Sequence, residues 1–582
     1  MAESRQRKEA SAGGTHCPEA KSVCFEDDHA QEIPMNEVPE NEALSPTCVT
    51  DRVFFADLAN KQLQTISPEV LSLEYLEELH VEKNQILSIP RGINRLRHLK
   101  VLYLDQNHIH DIREELGEMK CLQSLDLSNN PLSCSSLPVI SKLQSLRQLR
   151  LYKTNLHELP VQICENLHHV ELLGLSDNNL KCLPKEIVNL TKLKEIYLQK
   201  NWFDSFPKEL CQMADLEIID LEQNLLSLIP EEVGFLTNLV KLFLAFNNLS
   251  SIPPTLQHCQ KLAVLDLSHN LLHELPTGLK NLTEMRELRL SANSLQKFPH
   301  QLCCWPSLSR VYLRNTRLHT VPGSFTRLTS VRILELSENC FDEIPKGICT
   351  MKNLEVLALE DNRIQEVPVE VKELTNLKCL RLSGNQFSIF PKEIFLLESL
   401  EVLHLGQNKG IKFTSLPEDI SKLQNLKELH MENNGLESLP TAITSLTHLK
   451  ILDCRNNLLK QLPDAVCQIQ GLQRLLLQNN QLSQLPEDLV SLQQLELILV
   501  DGNPMLDPPI EVCCQGTSAI REYLQEKRHK KAMKLKVQRL WRLLKGIRPF
   551  LTLNNLKKTK KKENKGKGKR EEKPKKGSKP QK

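Results

Sequence analysis

The chain has 582 residues, with 74 Lys plus Arg against 72 Asp plus Glu, so its net charge at pH 7 is only +2. No run of about 18 apolar residues occurs, and the N-terminus lacks the apolar core of a signal peptide, so neither membrane insertion nor secretion is expected. We therefore expect a cytoplasmic protein whose 18 Cys are reduced thiols. No CxxC pair is present, which argues against a zinc ribbon.

The first segment, residues 1–50, is acidic and irregular. It contains 10 acidic and 4 basic residues with scattered Pro and little periodicity. Such a composition cannot bury enough apolar surface to order the chain. We predict that residues 1–50 form a disordered acidic leader.

From Asp51 a single pattern repeats. Segments 99–112, 216–230 and 354–368 share the form LxxLxLxxNxLxxLP. With the Asn of each repeat as a register mark, twenty marks lie from Lys61 to Asn503, and sixteen of the nineteen intervals equal 23. Intervals of 24 flank Thr154, and an interval of 26 follows Asn408, where residues 409–414 are predicted to bulge as an insertion. This period predicts about 20 leucine-rich repeats over residues 51–516.

Each position of the repeat has a physical role. The three apolar residues of LxxLxL predict one short strand per repeat, and the following Leu, Pro and aliphatic residues return the chain along the outer edge. One repeat cannot bury its own apolar face, so neighbours must stack. The Asn amide is expected to satisfy backbone groups of adjacent turns, whereas Thr154 and Thr316 supply only a hydroxyl there. The expected fold class is α/β, a leucine-rich repeat solenoid or horseshoe with a parallel β-sheet on its concave face.

With these LPxxIxxL units, the chain resembles the intracellular leucine-rich repeat proteins that have 23-residue repeats, a class that includes Scribble, Erbin and the plant Ras-group proteins. The resemblance covers about residues 51–512 and implies the solenoid fold. It implies little about function, because the class is defined by its buried positions.

Catalytic motifs are missing from the sequence. It contains no GxxxxGK[ST] loop, no HExxH, no GxSxG and no GxGxxG after a strand. Several Cys recur ten residues after the register mark, a slot that indicates packing rather than reactivity. These are Cys164, Cys211, Cys303, Cys349, Cys467 and Cys513. We expect no enzymatic activity, no catalytic residues, no cofactor and no metal ligands.

The candidate partner-binding residues lie in the columns two, four and six residues before each mark, with Phe246 beside them; these columns should alternate outward from the sheet onto the concave face. Four of the six Tyr stand there, and Tyr and Arg dominate binding hot spots. The acidic residues Glu335, Glu338, Glu360 and Asp361 follow the basic ones. The alternative is a solvated face whose opposite charges keep the array soluble. The predicted partner-binding residues are Tyr103, Tyr152, Tyr197, Phe243, Phe246, Arg289, Arg310, Tyr312 and Arg314.

The repeats are followed by one predicted helix, residues 517–551. Ile520, Tyr523 and Leu524 could cover the edge of the last repeat. Further along, apolar residues recur at helical spacing among Lys and Arg, which is typical of a calmodulin target or a membrane-surface helix. Pro549 is expected to end the helix.

The same helix is similar to a degenerate IQ motif. Val537, Gln538, Arg542 and Phe550 match its pattern in register, whereas the usual Gly and the second basic residue are replaced. Repeats followed by such a helix make the chain resemble the leucine-rich repeat and IQ motif-containing proteins, which implies calmodulin binding. With these departures, we expect binding to be stronger with calcium than without. The predicted calmodulin-binding residues are Val537, Gln538, Leu540, Trp541, Arg542, Leu544 and Phe550.

The last segment, residues 552–582, is a Lys-rich, low-complexity tail that is predicted to be disordered. From Arg521 to Lys582 the chain carries 25 basic and 5 acidic residues. The tail could be a nuclear import signal, a tether or a solubilising segment. We predict a non-enzymatic intracellular scaffold in signal transduction, with a protein partner on the concave face and calmodulin on the tail helix. The alternative is a nucleic-acid or acidic-membrane tether, whose binding would weaken steeply with salt.

Overall fold

The computed structural model describes residues 52–407 and 411–553, with side chains through Leu543. Within them, twenty three-residue strands form one parallel sheet in which each strand pairs with the next along the chain. The predicted solenoid with a parallel sheet is confirmed. The strands are β1 Phe55–Asp57, β2 Glu78–His80, β3 Val101–Tyr103, β4 Ser124–Asp126, β5 Gln148–Arg150, β6 Leu172–Gly174, β7 Glu195–Tyr197, β8 Ile218–Asp220, β9 Lys241–Phe243, β10 Val264–Asp266, β11 Glu287–Arg289, β12 Arg310–Tyr312, β13 Ile333–Glu335, β14 Val356–Ala358, β15 Cys379–Arg381, β16 Val402–His404, β17 Glu428–His430, β18 Ile451–Asp453, β19 Arg474–Leu476 and β20 Leu497–Leu499.

The outer side of each repeat is a short helix that follows the Pro of the LP pair. That Pro stands directly before the first helical residue in most repeats, where its fixed φ suits the turn into the helix. The short α-helices are α1 Pro68–Leu71, α2 Val161–Asn166, α3 Lys346–Cys349 and α4 Ile510–Cys513. The 3₁₀ helices are Arg91–Arg95, Glu114–Glu118, Leu137–Lys142, Lys185–Asn189, Lys208–Gln212, Glu231–Phe235, Pro254–His258, Thr277–Asn281, His300–Cys304, Gly323–Arg327, Val369–Glu373, Lys392–Leu396, Glu418–Lys422, Thr441–Ser445, Asp464–Gln468 and Glu487–Ser491.

The insertion after β16 leaves the sheet intact. Val402 pairs with Glu428 in parallel register, although the two residues are 26 positions apart in sequence. Residues 408–410 lie outside the described part of the chain; beyond them Ile411 is 61% exposed and Phe413 is buried. The added residues therefore do not interrupt the pairing between β16 and β17.

One hydrophobic core runs along the whole array between the sheet and the outer helices. The central residue of each strand, such as Leu79 or Leu102, is fully buried. The six Cys of the recurring slot are buried as well, so the packing prediction for that slot is confirmed. Burial raises the pKa of the Cys164 and Cys211 thiols to about 12, which makes thiolate chemistry there unfavourable.

The Asn side chains at the register marks hydrogen-bond the backbones of adjacent repeats to each other. The Asn270 amide Nδ2 donates to the carbonyl of Leu244 in the preceding repeat (2.9 Å) and to that of Leu267 (3.1 Å). Its Oδ1 accepts from the Leu249 N–H (3.0 Å). The Leu244 carbonyl also accepts from Asn247 of its own repeat (3.0 Å). Each such carbonyl therefore has two amide donors, whereas the Leu249 N–H has the single Asn acceptor.

Marks that lack Asn use a different local backbone. The Thr154 N–H donates to Oδ1 of the next mark, Asn178, at 2.9 Å, and the following Asn155 adopts a left-handed φ of 60°. Lys61 and Thr316 repeat this arrangement with their own next Asn. A missing Asn is thus compensated in two ways: a second residue adopts a left-handed φ, and the amide oxygen of the next Asn accepts an additional backbone N–H.

The tail helix, α5, runs from Thr517 to Leu553 and begins against the last repeat. Ile520 and Leu524 are fully buried, and the Thr517 hydroxyl oxygen accepts from the backbone N–H of Ile498 in β20 at 3.0 Å. The prediction that this segment covers the last repeat is confirmed.

The helix continues through Pro549, so the expectation that this residue ends it is wrong. An interior proline lacks the N–H for one bond to the preceding turn and its ring crowds the carbonyl four residues earlier, but here the helical backbone continues for four residues beyond it, to Leu553. Among the described residues, no helix combines the length and apolar character needed to cross a bilayer.

Candidate functional site: the concave face and the tail helix

The predicted aromatic residues lie on the face of the sheet opposite the core. In each strand the middle residue is buried and its two neighbours face the concave side. Tyr103, Tyr152, Tyr197, Phe243 and Tyr312 are all half-buried there. Phe246, in a left-handed conformation just after β9, is 47% exposed and stacks on His269 at 4.0 Å between ring centroids.

Each of these aromatic side chains is supported by its own neighbours on the sheet. Tyr103 belongs to an N-terminal group, with its ring centroid 4.7 Å from that of His80. The Tyr152 ring lies over Gly174 of the next repeat, where a Cβ would overlap it. The Tyr197 hydroxyl donates to Glu195 Oε2 at 2.7 Å. Burial raises the pKa of Tyr152 to about 12. The rings are therefore held in place by their neighbours.

The predicted basic residues are part of an ion-pair network. Arg289 lies between Glu287, to which its Nε donates at 2.6 Å, and Asp266, 3.4 Å from Nη1. Arg310 Nη1 lies 3.1 Å from Glu287 Oε2. The Arg289 guanidinium is also 5.2 Å from the Tyr312 ring centroid. The almost buried carboxylates of Asp266 and Glu287 were missed in the sequence, although both stand in the concave columns, Asp266 one repeat before Arg289 and Glu287 two residues before it on the same strand.

The acidic residues that follow are engaged in the same way. Arg314 Nη2 lies 2.6 Å from Glu338 Oε1, and Glu335 Oε1 accepts from the Ser337 N–H at 2.8 Å. Burial raises the pKa of Glu360, an effect that Arg381 partly offsets. The charges of the adjacent basic and acidic residues are thus partly neutralised by ion pairs within the protein.

A second polar cluster, on strands β16 to β18, was not singled out from the sequence. The rings of His404 and His430 stack at 4.1 Å. Asp453, buried behind them, accepts from Arg455 Nε (2.9 Å) and Nη2 (2.6 Å). Burial lowers the pKa of His404 to about 3, so this ring is neutral. Burial also opposes ionisation of Asp453, but His430 and Arg455 outweigh it and lower the pKa of that carboxyl to about 2.

The tail helix exposes the predicted apolar stripe. Val537, Leu540 and Trp541 are 54%, 58% and 63% exposed, and Gln538 and Arg542 are exposed beside them. Two further predicted residues, Leu544 and Phe550, lie on the α5 backbone but outside the described side chains.

The base of the tail helix is held by charge. Lys527 is paired with Asp507 and lies 3.5 Å from Glu487, which also pairs with Lys531 at 3.1 Å. Arg528 lies 3.6 Å from Asp488. These contacts fix the start of α5 and leave its apolar stripe uncovered by any described residue.

Family models match most of this array. The model for a leucine-rich repeat region matches residues 125–251, 322–432 and 411–508, which is more than half of the chain. A second leucine-rich repeat model matches residues 74–132 and 237–295. The chain belongs to the leucine-rich repeat family.

Among curated proteins, the chain is similar to leucine-rich repeat and IQ domain-containing protein 4. The human protein is 56% identical over 166 residues, covering 28% of this chain and 30% of the relative. The mouse protein is 57% identical over 166 residues, 28% of each chain. The match thus spans less than a third of these relatives. The expected resemblance to the leucine-rich repeat and IQ motif-containing proteins is confirmed over that stretch.

Solved structures of plant receptors share the fold. The peptide hormone receptor RGFR1, solved in complex with RGF2, superposes with a TM-score of 0.52 at 26% identity, over 75% of this chain and 79% of the receptor. A TDR receptor gives 0.51 at 23% identity, over 78% and 85%. The second likeness concerns the fold alone.

Proposed function

We propose that this protein is a non-enzymatic, cytoplasmic protein-binding scaffold in signal transduction, with a protein partner on its concave face and calmodulin on its tail helix. The observation that carries the proposal is a set of half-exposed aromatic side chains held rigidly on the concave sheet. Aromatic anchors supply large contact area, and rigid ones lose little conformational entropy on binding.

The best-defined anchor is the group around Tyr312. Its ring is half-buried, with the Arg289 guanidinium 5.2 Å from its centroid, and Arg289 is itself held by Glu287 and Asp266. Arg314, beside it, is about half exposed and pairs only at the surface with Glu338. A partner can therefore bury Tyr312 against a fixed support and compete for the exposed Arg314. RGFR1 holds RGF2 in its solved complex, which supports a peptide or protein ligand.

The test is capture of partners by the full chain with Tyr312→Ala combined with Arg314→Glu. We expect captured proteins to be lost while the far-ultraviolet circular dichroism stays unchanged. A matched control is Tyr75→Ala with Arg52→Glu. This pair makes the same kind of cation–ring contact, with the Arg52 guanidinium 4.6 Å from the Tyr75 ring centroid, but it lies outside the concave columns. If both double variants capture the same proteins as the unmodified chain, the interface lies elsewhere.

The tail helix supports calmodulin binding because an apolar stripe ringed by cations fits a Met-rich acidic groove. A peptide of residues 530–553 should bind calmodulin more tightly with calcium than without, as measured by isothermal titration calorimetry, a readout that does not depend on Trp541. Trp541→Glu should abolish binding. Leu535→Glu makes the same charge change on the opposite helical face at 3.6 residues per turn and should bind nearly normally.

The second candidate, a polybasic tether, is favoured by the 25 basic residues from Arg521 onward. It predicts equal calmodulin affinity for the unmodified and Trp541→Glu peptides, because charge alone would then drive binding. It also predicts a steep fall of binding with salt. Either result would indicate that the tail acts as an electrostatic tether and does not recognise calmodulin specifically.

A further inference from the structure

Two repeats of the array carry the same concave triplet in the same columns. Glu78, His80 and Glu82 precede the mark Asn84, and Glu428, His430 and Glu432 precede the mark Asn434. The difference lies in the next repeat. His80 packs between aromatic rings, with Phe55 at 5.1 Å and Tyr103 at 4.7 Å between centroids. His430 faces the carboxylate of Asp453 instead.

The second triplet forms a compact donor set. One donor atom each of His430, Glu432 and Asp453 lie within 4.8 Å of one another. His430 Nδ1 is 3.6 Å from Asp453 Oδ2, which is too long for a hydrogen bond. It is close to the separation of about 3.4 Å between two ligands in a tetrahedral shell with bonds of about 2.0–2.2 Å. The pair is therefore spaced for a shared cation.

The other ring nitrogen is oriented as metal-binding histidines require. His430 Nε2 faces Glu428 Oε2 at 3.5 Å. Ligating imidazoles usually donate their second N–H to a carboxylate, which fixes the tautomer that leaves the first nitrogen free to bind. Stacking on His404 at 4.1 Å further restricts rotation of the His430 ring.

Glu432 reaches into the same space because the neighbouring repeat has a glycine. A Cβ at Gly406 would overlap Glu432 Oε1. The second oxygen, Oε2, is buried and has no hydrogen-bond partner. Glu82 has an equally unpartnered Oε2 in the first triplet, but there no carboxylate stands where Asp453 does. The third ligand is therefore what separates the two triplets.

The charge around the donor set favours a cation. Glu428, Glu432 and Asp453 supply three carboxylates, and Arg455 supplies one guanidinium, which binds both oxygens of Asp453. Each carboxylate oxygen has two lone pairs, so Asp453 can accept from Arg455 and still coordinate an ion. Arg455 then holds the carboxylate in place without neutralising the whole cluster.

We propose that His430, Glu432 and Asp453 bind a divalent transition-metal ion of the zinc type on the concave face. An imidazole nitrogen with two carboxylate oxygens is a donor set that zinc accepts, whereas calcium and magnesium prefer oxygen alone. Three protein ligands leave a fourth position for water or a partner side chain. Glu428 is a positioning residue for His430. The proposal goes beyond the scaffold function and does not depend on it.

The test uses the full chain, stripped of metal with a chelator and titrated with zinc chloride by calorimetry. Glu432→Gln, which keeps the side-chain shape, should remove one equivalent of bound zinc, as should His430→Ala. Glu428→Gln should weaken the same site by about 10- to 100-fold without abolishing it. Magnesium and calcium should not compete at equal concentration.

The matched controls are His80→Ala and Glu82→Gln in the first triplet, which should leave both stoichiometry and affinity unchanged. Circular dichroism would show that every variant is folded. Equal zinc stoichiometry for the unmodified chain and Glu432→Gln would overturn the proposal. So would an equal loss in the two triplets, because that would assign the zinc to exposed Glu and His side chains in general.

Discussion

Replacing Asn270 by Ala tests how the array holds its backbone together. The side chain is almost buried and makes four hydrogen bonds to main-chain groups. Simple addition over four bonds would overstate the effect, because most of these groups keep another partner. The carbonyls that lose Asn270 but retain a second donor are those of Leu244 (from Asn247), Leu267 (from Asn293) and Ser268 (from the Phe246 N–H).

The Leu249 N–H is the group that the substitution strands. Its acceptor in the structure is Asn270 Oδ1 at 3.0 Å, and alanine offers no replacement. An unsatisfied buried donor costs about 1–3 kcal/mol, so this is the expected loss in the free energy of unfolding.

Asn339 gives a graded comparison. Its Oδ1 accepts from the backbone N–H groups of both Thr316 and Leu318, each at 3.0 Å. Asn339→Ala therefore strands two donors and should cost about 2–6 kcal/mol. Asn281, which is exposed and bonds only Gln257 at 3.1 Å, is the control. Asn281→Ala should change stability by less than about 0.5 kcal/mol.

The assay must resolve local opening, because a repeat contacts only its neighbours and a long array need not unfold in one step. Urea unfolding gives the ranking of the three variants. Hydrogen exchange at the Leu249 amide reports the local effect, and its protection should fall about 5- to 150-fold in Asn270→Ala. Unchanged protection together with an unchanged unfolding midpoint would refute the assignment of Leu249 to Asn270.

Three further outcomes follow from burial and packing. Under native conditions at pH 8, iodoacetamide should modify the exposed Cys304 quickly and Cys454 only after unfolding, since burial raises the pKa of Cys454 and excludes the reagent; mass spectrometry checks this. Gly174→Ala should displace the Tyr152 ring and shift its fluorescence or NMR signals, whereas an unmoved Tyr152 would contradict the packing seen over this glycine. Ile520→Ala should lower stability by about 2–5 kcal/mol and increase self-association, because it opens the cover of the last strand; light scattering equal to the unmodified chain would show that α5 does not protect that edge.

The periodic positions were predictable because each of them is buried in the same surroundings in every repeat. Leu and Asn recur at fixed offsets, so the sequence alone predicts the strands, the Asn ladder and the concave columns. The concave placement of Tyr312 follows from the same register.

Contacts between columns were harder to predict. Arg289 is neutralised by Glu287, two residues away on the same strand, and by Asp266, which is recognised as a neighbour only when residues 23 positions apart are compared. At His430 the interval of 26 residues hides even that relation, because His404 and Asp453 stand at unequal distances along the chain. Which carboxylate a given side chain reaches also depends on its rotamer, and a one-dimensional pattern does not contain that information.

The nearly uniform register has a consequence for how such chains change length. Asn224 and Asn247 make equivalent bonds, each to the repeat before it, so excising residues 225–247 would join two compatible ends and bring β8 beside β10. Duplication would insert an equally compatible turn. Chain length can therefore vary through inherited gain or loss of whole 23-residue units while every surviving contact is kept. The repeats marked by Thr154 and Thr316 are not interchangeable in this way. The next Asn, Asn178 or Asn339, accepts an additional hydrogen bond from the backbone N–H of that Thr.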